Sequence, residues 1–434
     1  MKVCKFGGTS MASADSIRLV KSIIESDPLR KFVVVSAPGK RFKSDRKITD
    51  LLYDAYSDNV KFGAVGSSLS EVSDRFSSIA SELNIDIDID SKMDEIEQEI
   101  LKSSSPDYAA SRGEYLCALV TAAYLNYQFV DAGELIKFRS NGTFDPETTK
   151  DHVCQLLSLD TGVVIPGFYG RMPDKTIKTF SRGGSDVTGA IIAYAINATV
   201  YENWTDVDGF MAVDPVIVAK PKQINYLSYT ELRELSYMGA KVMHPDSVFP
   251  ILSNGIPINI KNTFNPENEG TWILKSVENF ERPVITGITG KTNNTMITMS
   301  KSMMNTELGF GRKVLSCLER NGVGFDHIPT GIDTMSVVIE GRLDDALMEK
   351  LVSDINRSVA PDTIEIEYLA LIAVVGHGMA KRKGTAAKIC SALYNADINI
   401  IMIDQGSSEM NVIVGVDNSD YECAVTALYS AFFQ

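Results

Sequence analysis

The chain has 434 residues, 44% apolar and 23% charged, a globular composition long enough for two or three domains. Its net charge of −14 argues against nucleic acid or an anionic membrane as the main partner, so an anionic ligand must be held by a few placed cations. Apolar runs such as AIIAYAINATV fall short of a membrane span, and MKVCKFGG does not read as a signal peptide. Six scattered cysteines form no CxxC pair and four histidines show no metal spacing, so reduced thiols, no protein-bound metal and a cytoplasmic location are expected.

From the N-terminus, short apolar stretches alternate with helical patterns to about residue 280. Strands are predicted over 3–6 and 32–36 with a helix over 13–25 between them, then over 128–131, 162–166, 198–204 and 256–261. This alternation predicts a mainly parallel sheet flanked by helices, with ligands beyond the carboxyl ends of its strands. Residues 61–105, rich in Ser, Asp and Glu, predict a solvated helical insertion that can lie over a site as a lid. NTFNPENEGTW at 262–272 reads as a turn-rich connection. Beyond it the chain repeats itself: KVLSCLERNGVGFDHIPTGIDTMSVVI resembles KICSALYNADINIIMIDQGSSEMNVIV. Each copy has a helix ending near Asn (Asn321, Asn395), a strand (323–328, 398–403), a Gly-containing turn and a second strand, which predicts paired α+β modules. Gly309 and Gly384 precede the two helices, whose first N–H groups favour a carboxylate.

Five motifs can carry chemistry. Lys5-Phe6-Gly7-Gly8-Thr9-Ser10 joins a strand to a helix; its amides can form an anion nest and Lys5 can set a charge on a phosphate. It lacks the GxxxxGK[ST] pattern, so a Walker loop is not implied, and an empty tight turn is an equal reading. In Ser181-Arg182-Gly183-Gly184-Ser185-Asp186, Arg182 suits bidentate carboxylate or phosphate recognition, whereas Asp186 can equally be a helix cap. Ser111-Arg112-Gly113-Glu114 is read at the start of a helix over 115–125, where the helix dipole favours Glu114 whether or not it holds an ammonium. Thr205-Asp206-Val207-Asp208-Gly209 can meet ribose, Mg2+ or nothing. Around Met238–Pro245, Lys241 and His244 are ambiguous, and packing is the favoured role for His244.

Taken in order, KFGGTS, VVVSAPGK (33–40), SRGE, SRGGSD, TDVDG, GAKVMHP (239–245) and IPINIKNTFNPENEGTWI (256–273) resemble aspartokinases of the amino-acid kinase family, over essentially the whole chain. The tail modules resemble ACT domains. The resemblance implies a three-layer α/β/α kinase domain over 1–282, then a regulatory region over 283–434 with two α+β ACT-like modules. These span about 294–366 and about 369–434, with a strand over 284–292 able to join the second. It implies phosphorylation of the β-carboxylate of L-aspartate by ATP with Mg2+, the first step toward lysine, threonine and methionine. By the same resemblance Lys5 and Asp186 are catalytic. Ser36, Thr49, Glu114, Phe168, Arg182 and Ser185 bind substrate, with Arg182 on the α-carboxylate and Glu114 on the ammonium. Lys5, Gly7, Gly8, Ser10, Thr205, Asp206 and Lys222 bind nucleotide.

The resemblance further implies feedback by lysine, or by threonine, around Met304, Gly309, Asp326 and Thr330, and a homodimer or larger assembly through ACT edge strands. Three departures stand out. Met211 replaces a usual Tyr, Val216 replaces a nucleotide-facing Arg, and Thr330-Gly331-Ile332-Asp333 replaces a Thr-Ser-Glu turn. No homoserine dehydrogenase domain is expected. The competing expectations are a relative acting on glutamate, carbamate or a nucleotide, and a non-catalytic amino-acid sensor. Glu114 with Arg182 favours an amino-acid acceptor, and paired modules favour aspartate.

Overall fold

Side-chain alternation along the first strand decides which helical layer each residue enters. A computed structural model describes residues 1–157, 160–181, 183–240, 242–243, 245–252, 254–277, 283–380, 382–406 and 408–434. In β1 (Lys2–Phe6), Cys4 and Phe6 join the core beneath one helical layer, and Lys5 turns to the other. The first layer begins with α1 (Ala14–Glu25). Ser13 caps it through a bond from the Ser16 N–H, and Ile17, Val20 and Ile24 recur at helical spacing on its buried face. After β2 (Arg30–Val35) come α2 (Ile48–Phe62), α3 (Ser68–Glu82), α4 (Ile89–Lys102) and α5 (Pro106–Leu125). Next are β3 (Gln128–Phe129), α6 (Ala132–Leu135), α7 (Pro146–Leu156), β4 (Val163–Pro166) and a small hairpin of β5 (Tyr169–Arg171) and β6 (Ile177–Thr179). The first unit is completed by α8 (Gly184–Ala195), β7 (Val200–Thr205), β8 (Tyr226–Ser228), which leads into α9 (Tyr229–Tyr237), then α10 (Phe249–Leu252), β9 (Ile258–Asn262) and β10 (Thr271–Leu274).

Its eight strands lie in the order β3-β4-β2-β1-β7-β9-β10-β8, parallel except where β10 runs against β9. Register aligns Phe6 with Val35 and Trp204, and Val35 with Pro166, so four strands end side by side. The expected strands are present with edges moved by a few residues. Two expectations change. Helix α5 starts at Pro106, capped by Ser105, so Glu114 sits in its third turn and owes nothing to the helix N-terminus. The insertion is not merely solvated: Val72, Phe76 and Ile79 of α3 and Met93, Ile96 and Ile100 of α4 enter the same core as α1, α2 and α5. The stretch 262–272 is the turn between β9 and β10, where Asn262 and Asn265 both donate to Asp208.

Packing assigns Met1–Phe210, Asn225–Tyr229 and Lys241–Asn279 to this unit, and Met211–Ile224, Thr230–Ala240 and Phe280–Gln434 to a second. The second unit holds a five-stranded antiparallel sheet, β12-β11-β13-β15-β14, formed by β11 (Gly287–Ser300), β12 (Thr334–Ile339), β13 (Thr363–Val375), β14 (Met402–Asp404) and β15 (Asn411–Asp417). The two modules share its long central pair: residues 287–291 of β11 pair with 371–375, and 294–300 with 363–369. The register shift between them takes Asn293 to φ 60° and is tied by the Asn294 amide donating to the Lys291 carbonyl. Helices α11 (Phe310–Arg320) and α12 (Asp345–Val359) serve one module, α13 (Thr385–Asn395) and α14 (Tyr421–Phe433) the other. Gly309 and Gly384 cap α11 and α13 at φ 81° and 90°, which accounts for glycine in both copies.

The strand expected over 323–328 is reduced to bridges of His327 with Val338 and Thr330 with Met335. The Asp326 N–H and the His327 carbonyl both bond to Val338, and Pro329 has no N–H to donate. In the other copy only Met402–Asp404 is strand, because residues 396–398 are used to close α13. No described helix is long and apolar enough to cross a membrane. Phe76 is 1% exposed, so Phe76→Ala is expected to lower unfolding free energy by about 3–5 kcal/mol in a denaturant titration, where a solvated insertion would lose under about 0.5 kcal/mol.

Candidate active site

The aligned strand ends bring the sequence-predicted residues of the first unit to one edge of the sheet. Lys5, 8% exposed, leaves β1 toward α8 and meets the Asp186 carboxylate at 2.6 Å. Asp186 is in the first turn of α8, but its side chain turns to the sheet: Asn203, the register partner of Lys5 on β7, donates to the same carboxylate oxygen at 3.0 Å. The Tyr201 hydroxyl donates to the Asp186 carbonyl at 3.1 Å, and Gly189 lets α8 lie against the Tyr201 ring, where a Cβ would come within 2.6 Å. The pair is therefore fixed from strand and helix together. Gly183 caps α8 at φ 59° with no side-chain acceptor on the first amides.

The glycine turn after β1 is tight. The Gly7 N–H bonds to the Trp204 carbonyl at 2.9 Å, and the Gly8 carbonyl accepts the Gly39 N–H at 2.7 Å. A Cβ on Gly39 would lie 2.7 Å from the Gly8 carbonyl carbon, so the 37–39 loop touches the turn backbone to backbone. Thr9 and Thr205 both donate to Asp206 at the end of β7, at 3.0 and 3.2 Å. Ser10 is fully buried and its hydroxyl pairs with that of Thr263 at 2.8 Å, a structural engagement its motif does not announce.

Glu114 projects from α5 into the same region and is 5% exposed. Gly113 permits this, since a Cβ there would meet Ala37 Cβ at 2.7 Å and Ile48 Cγ2 at 3.0 Å. Burial pushes the Glu114 carboxyl up to about 8, against the Ala37 and Glu114 N–H groups and the charges of Arg112 and Lys5. One of its oxygens, Oε2, has no partner among the described residues. Ser36 ends β2 with its N–H on the Phe6 carbonyl, and Thr49 lies in the first turn of α2. Phe168 takes φ 80°, held by its N–H to the Thr188 hydroxyl and its carbonyl to the Phe180 N–H. The Gly167–Phe168 turn presses on the start of α8, where Cβ atoms on Gly167 and Gly184 would strike Ser185 and the Phe168 ring. A left-handed conformation is unfavourable for an aromatic residue, and the two Phe168 hydrogen bonds hold it there. Arg182, Lys241 and His244 lie outside the described residues.

Other predicted residues belong to the second unit. Lys222 donates its backbone N–H to the Tyr429 hydroxyl at 2.9 Å and accepts from the Ala212 N–H. Met211 bridges to Gln223, and Val216 is 89% exposed with its N–H on the Asp214 carboxylate. Met304 is buried in the core under β12, Gly309 opens α11, and Thr330 is exposed with its hydroxyl on the Ile328 carbonyl. Asp326 accepts a 2.5 Å bond from the Tyr237 hydroxyl of α9. Sequence reasoning missed Tyr237 and Asn203, and read Thr9 only for its backbone amide. Asn203 had a signal, a polar residue inside the apolar strand VYENWT; Tyr237 had none, because its partner lies 89 residues away. Among the described residues no three His, Cys, Asp or Glu cluster as a preformed metal cage, and all six cysteines are free.

Comparison with known proteins agrees with this arrangement. The Amino acid kinase family profile matches residues 1–262 and an ACT domain profile matches 372–432. Aspartokinase 3 of Bacillus subtilis is 39% identical over 450 residues, covering 100% of this chain and 99% of the relative. The crystal structure of Clostridium acetobutylicum aspartate kinase superposes with a TM-score of 0.95 at 49% identity, over 100% of both chains. E. coli aspartokinase III, at 26% identity over 100% of both chains, superposes with TM-scores of 0.81 in complex with aspartate and ADP (R-state) and 0.80 in complex with lysine and aspartate (T-state). The chain belongs to the aspartokinases of the amino acid kinase family.

Proposed function

We propose that the protein transfers the γ-phosphoryl group of MgATP to the β-carboxylate of L-aspartate, giving 4-phospho-L-aspartate and ADP, under feedback by an end-product amino acid. The observation that carries this reading is one cation, Lys5, held by Asp186 at the strand ends, near a buried Glu114 carboxyl with an oxygen unpartnered among the described residues. The aspartate, ADP and lysine bound by E. coli aspartokinase III support the same ligands here. An ADP-release assay with aspartate and with glutamate tests it: aspartate is expected to support turnover and glutamate to fail.

A carboxylate nucleophile needs no strong base, so catalysis rests on positioning and on charge at the transferred group. Lys5 and the Gly7–Gly8 amides take the phosphates, and Asp186 with Asn203 aims Lys5. Thr205, Asp206 and Ser10 complete the nucleotide side within the first unit, Ser10 through its backbone because its hydroxyl is engaged by Thr263. Glu114 takes the substrate ammonium and Arg182 its α-carboxylate, while Ser36, Thr49, Phe168 and Ser185 shape the pocket. Mg2+ suits this donor set as an ion carried by the phosphates with Asp206 at hand, where it would neutralise phosphoryl charge. The division of labour is catalysis in 1–282 and regulation in 283–434, in a cytoplasmic homodimer or larger assembly. Lysine, with threonine second, is the inhibitor, held around Met304, Gly309, Asp326 and Thr330.

Lys5→Ala is expected to keep the fold by circular dichroism and lose roughly a hundredfold or more in kcat. Glu114 supplies a pH dependence with a definite sign. Its raised pKa keeps it protonated in the free protein below about pH 8, so an ammonium must displace a proton. The aspartate KM is expected to fall by up to about tenfold per pH unit as pH rises toward about 8, then level off, and Glu114→Gln should flatten that slope. The same group lowers stability as pH rises from about 4.5 to about 8, because the folded state binds the extra proton; Glu114→Gln should flatten that decline too. Calorimetric titration of lysine is expected to show binding at millimolar concentration that is weakened by saturating aspartate and by Asp326→Ala.

A further inference from the structure

We propose that Arg75, on helix α3 of the 61–105 insertion, is a positioning residue that locks the glycine turn into its nucleotide-binding shape. Arg75 is 5% exposed, and its hydrogen bonds go to loop carbonyls. Its Nη2 donates to two carbonyls on different loops: Ala12, which closes the turn begun at Gly7, at 3.3 Å, and Gly39, at a shorter distance. Its Nη1 donates to the Arg46 carbonyl at 3.0 Å and stands 3.4 Å from the Asp45 carboxylate. Asp45 is also gripped through both oxygens by Arg41 at 2.9 Å, which holds its carboxyl well below the usual range. One guanidinium thus joins the far end of the glycine turn to the 39–46 loop.

The two loops already touch at Gly8 and Gly39, with no room for a side chain between them. The neighbouring Ala37 is secured separately, because the Ser36 N–H is on the Phe6 carbonyl and the Ala37 N–H faces Glu114. Releasing Arg75 therefore frees Gly39, Gly8 and Ala12, while Ala37 and Glu114 keep their own ties, as do Asp45 through Arg41 and Arg46 through Asp54. The consequence is directional: the side that meets phosphates loosens and the side that meets the amino acid does not. Arg75 Nε has no partner among the described residues, so the residue is placed by its Nη bonds. A buried charge whose donors go to backbone carbonyls of loops, across 29 to 63 residues of sequence, serves loop geometry more than helix packing.

This inference rests on the nucleotide reading of Lys5 to Gly8, and the test separates the two. Arg75→Lys keeps the charge, but its single, shorter-reaching nitrogen cannot bond Ala12, Gly39 and Arg46 together. It is expected to raise the MgATP KM about tenfold or more while the aspartate KM stays within about twofold. ADP affinity by calorimetry should fall in step with the MgATP effect. Gly39→Ala leaves Arg75 in place and pushes directly on Gly8 and Thr9, so it should give the same MgATP-selective loss. Wild-type protein that fails to phosphorylate aspartate sinks the reaction proposed above. An active wild type with an Arg75→Lys variant whose KM values are both unchanged, or both raised together as Tm falls, overturns the positioning role alone. Should Arg75→Lys not fold, a folded Gly39→Ala enzyme with wild-type MgATP KM overturns it equally.

Discussion

The ion pair of Lys5 and Asp186 is the constraint around which the first unit is arranged. A lysine on a central parallel strand is costly to bury unless it is paired and its partner is fixed. The fold answers with a carboxylate on the first turn of α8, an Asn203 amide from the next strand, and a Tyr201 hydroxyl on the backbone of the same residue. Each requires α8 to lie close to β7, and Gly189 makes that approach possible. The parallel register then sets the ends of β2 and β4 beside the pair, so that Ser36 and Gly167–Phe168 arrive at one level. Geometry of this kind supports phosphoryl transfer better than acid–base chemistry, because the charge is prepositioned and no base is required.

Glu114 shows how much of the electrostatics is tertiary. The motif SRGE suggested a carboxylate at a helix start, stabilised by the dipole. In the fold it is mid-helix, buried, and pushed toward its neutral form by desolvation. That is the opposite tendency: burial favours the neutral acid where a helix dipole would have favoured the carboxylate. The misreading has a local cause: Ser105-Pro106-Asp107 is a complete helix start, but it lies at the edge of a polar insertion that does not look like core.

Most of the first sheet was legible because its strands are short apolar runs punctuated by glycine turns, and β1, β2 and β4 appear within a residue or two of expectation. The pairing of Lys5 with Asp186 was not legible, since the two are 181 positions apart and either could be explained locally, as a turn lysine and a helix cap. The same holds for Ser10, whose motif points to nucleotide while its hydroxyl is taken by Thr263. Repetition disclosed the paired modules but hid their shared sheet. The long strands β11 and β13 each serve both modules, and only the Asn293 irregularity marks the passage from one to the other. Likewise α9 falls within the stretch matched by the kinase profile yet packs in the second unit. There Glu231, Glu234 and Tyr237, at every third position, bond to Thr286, Asn411 and Asp326.

Acyl-phosphate trapping tests the central claim most directly. With hydroxylamine present, MgATP and L-aspartate should yield the β-hydroxamate of aspartate in step with ADP, because a phosphorylated β-carboxylate is open to attack by that nucleophile. ADP formed without hydroxamate, or hydroxamate at the α-carboxylate, would contradict the assignment of Lys5, Glu114 and Arg182 to aspartate β-phosphorylation.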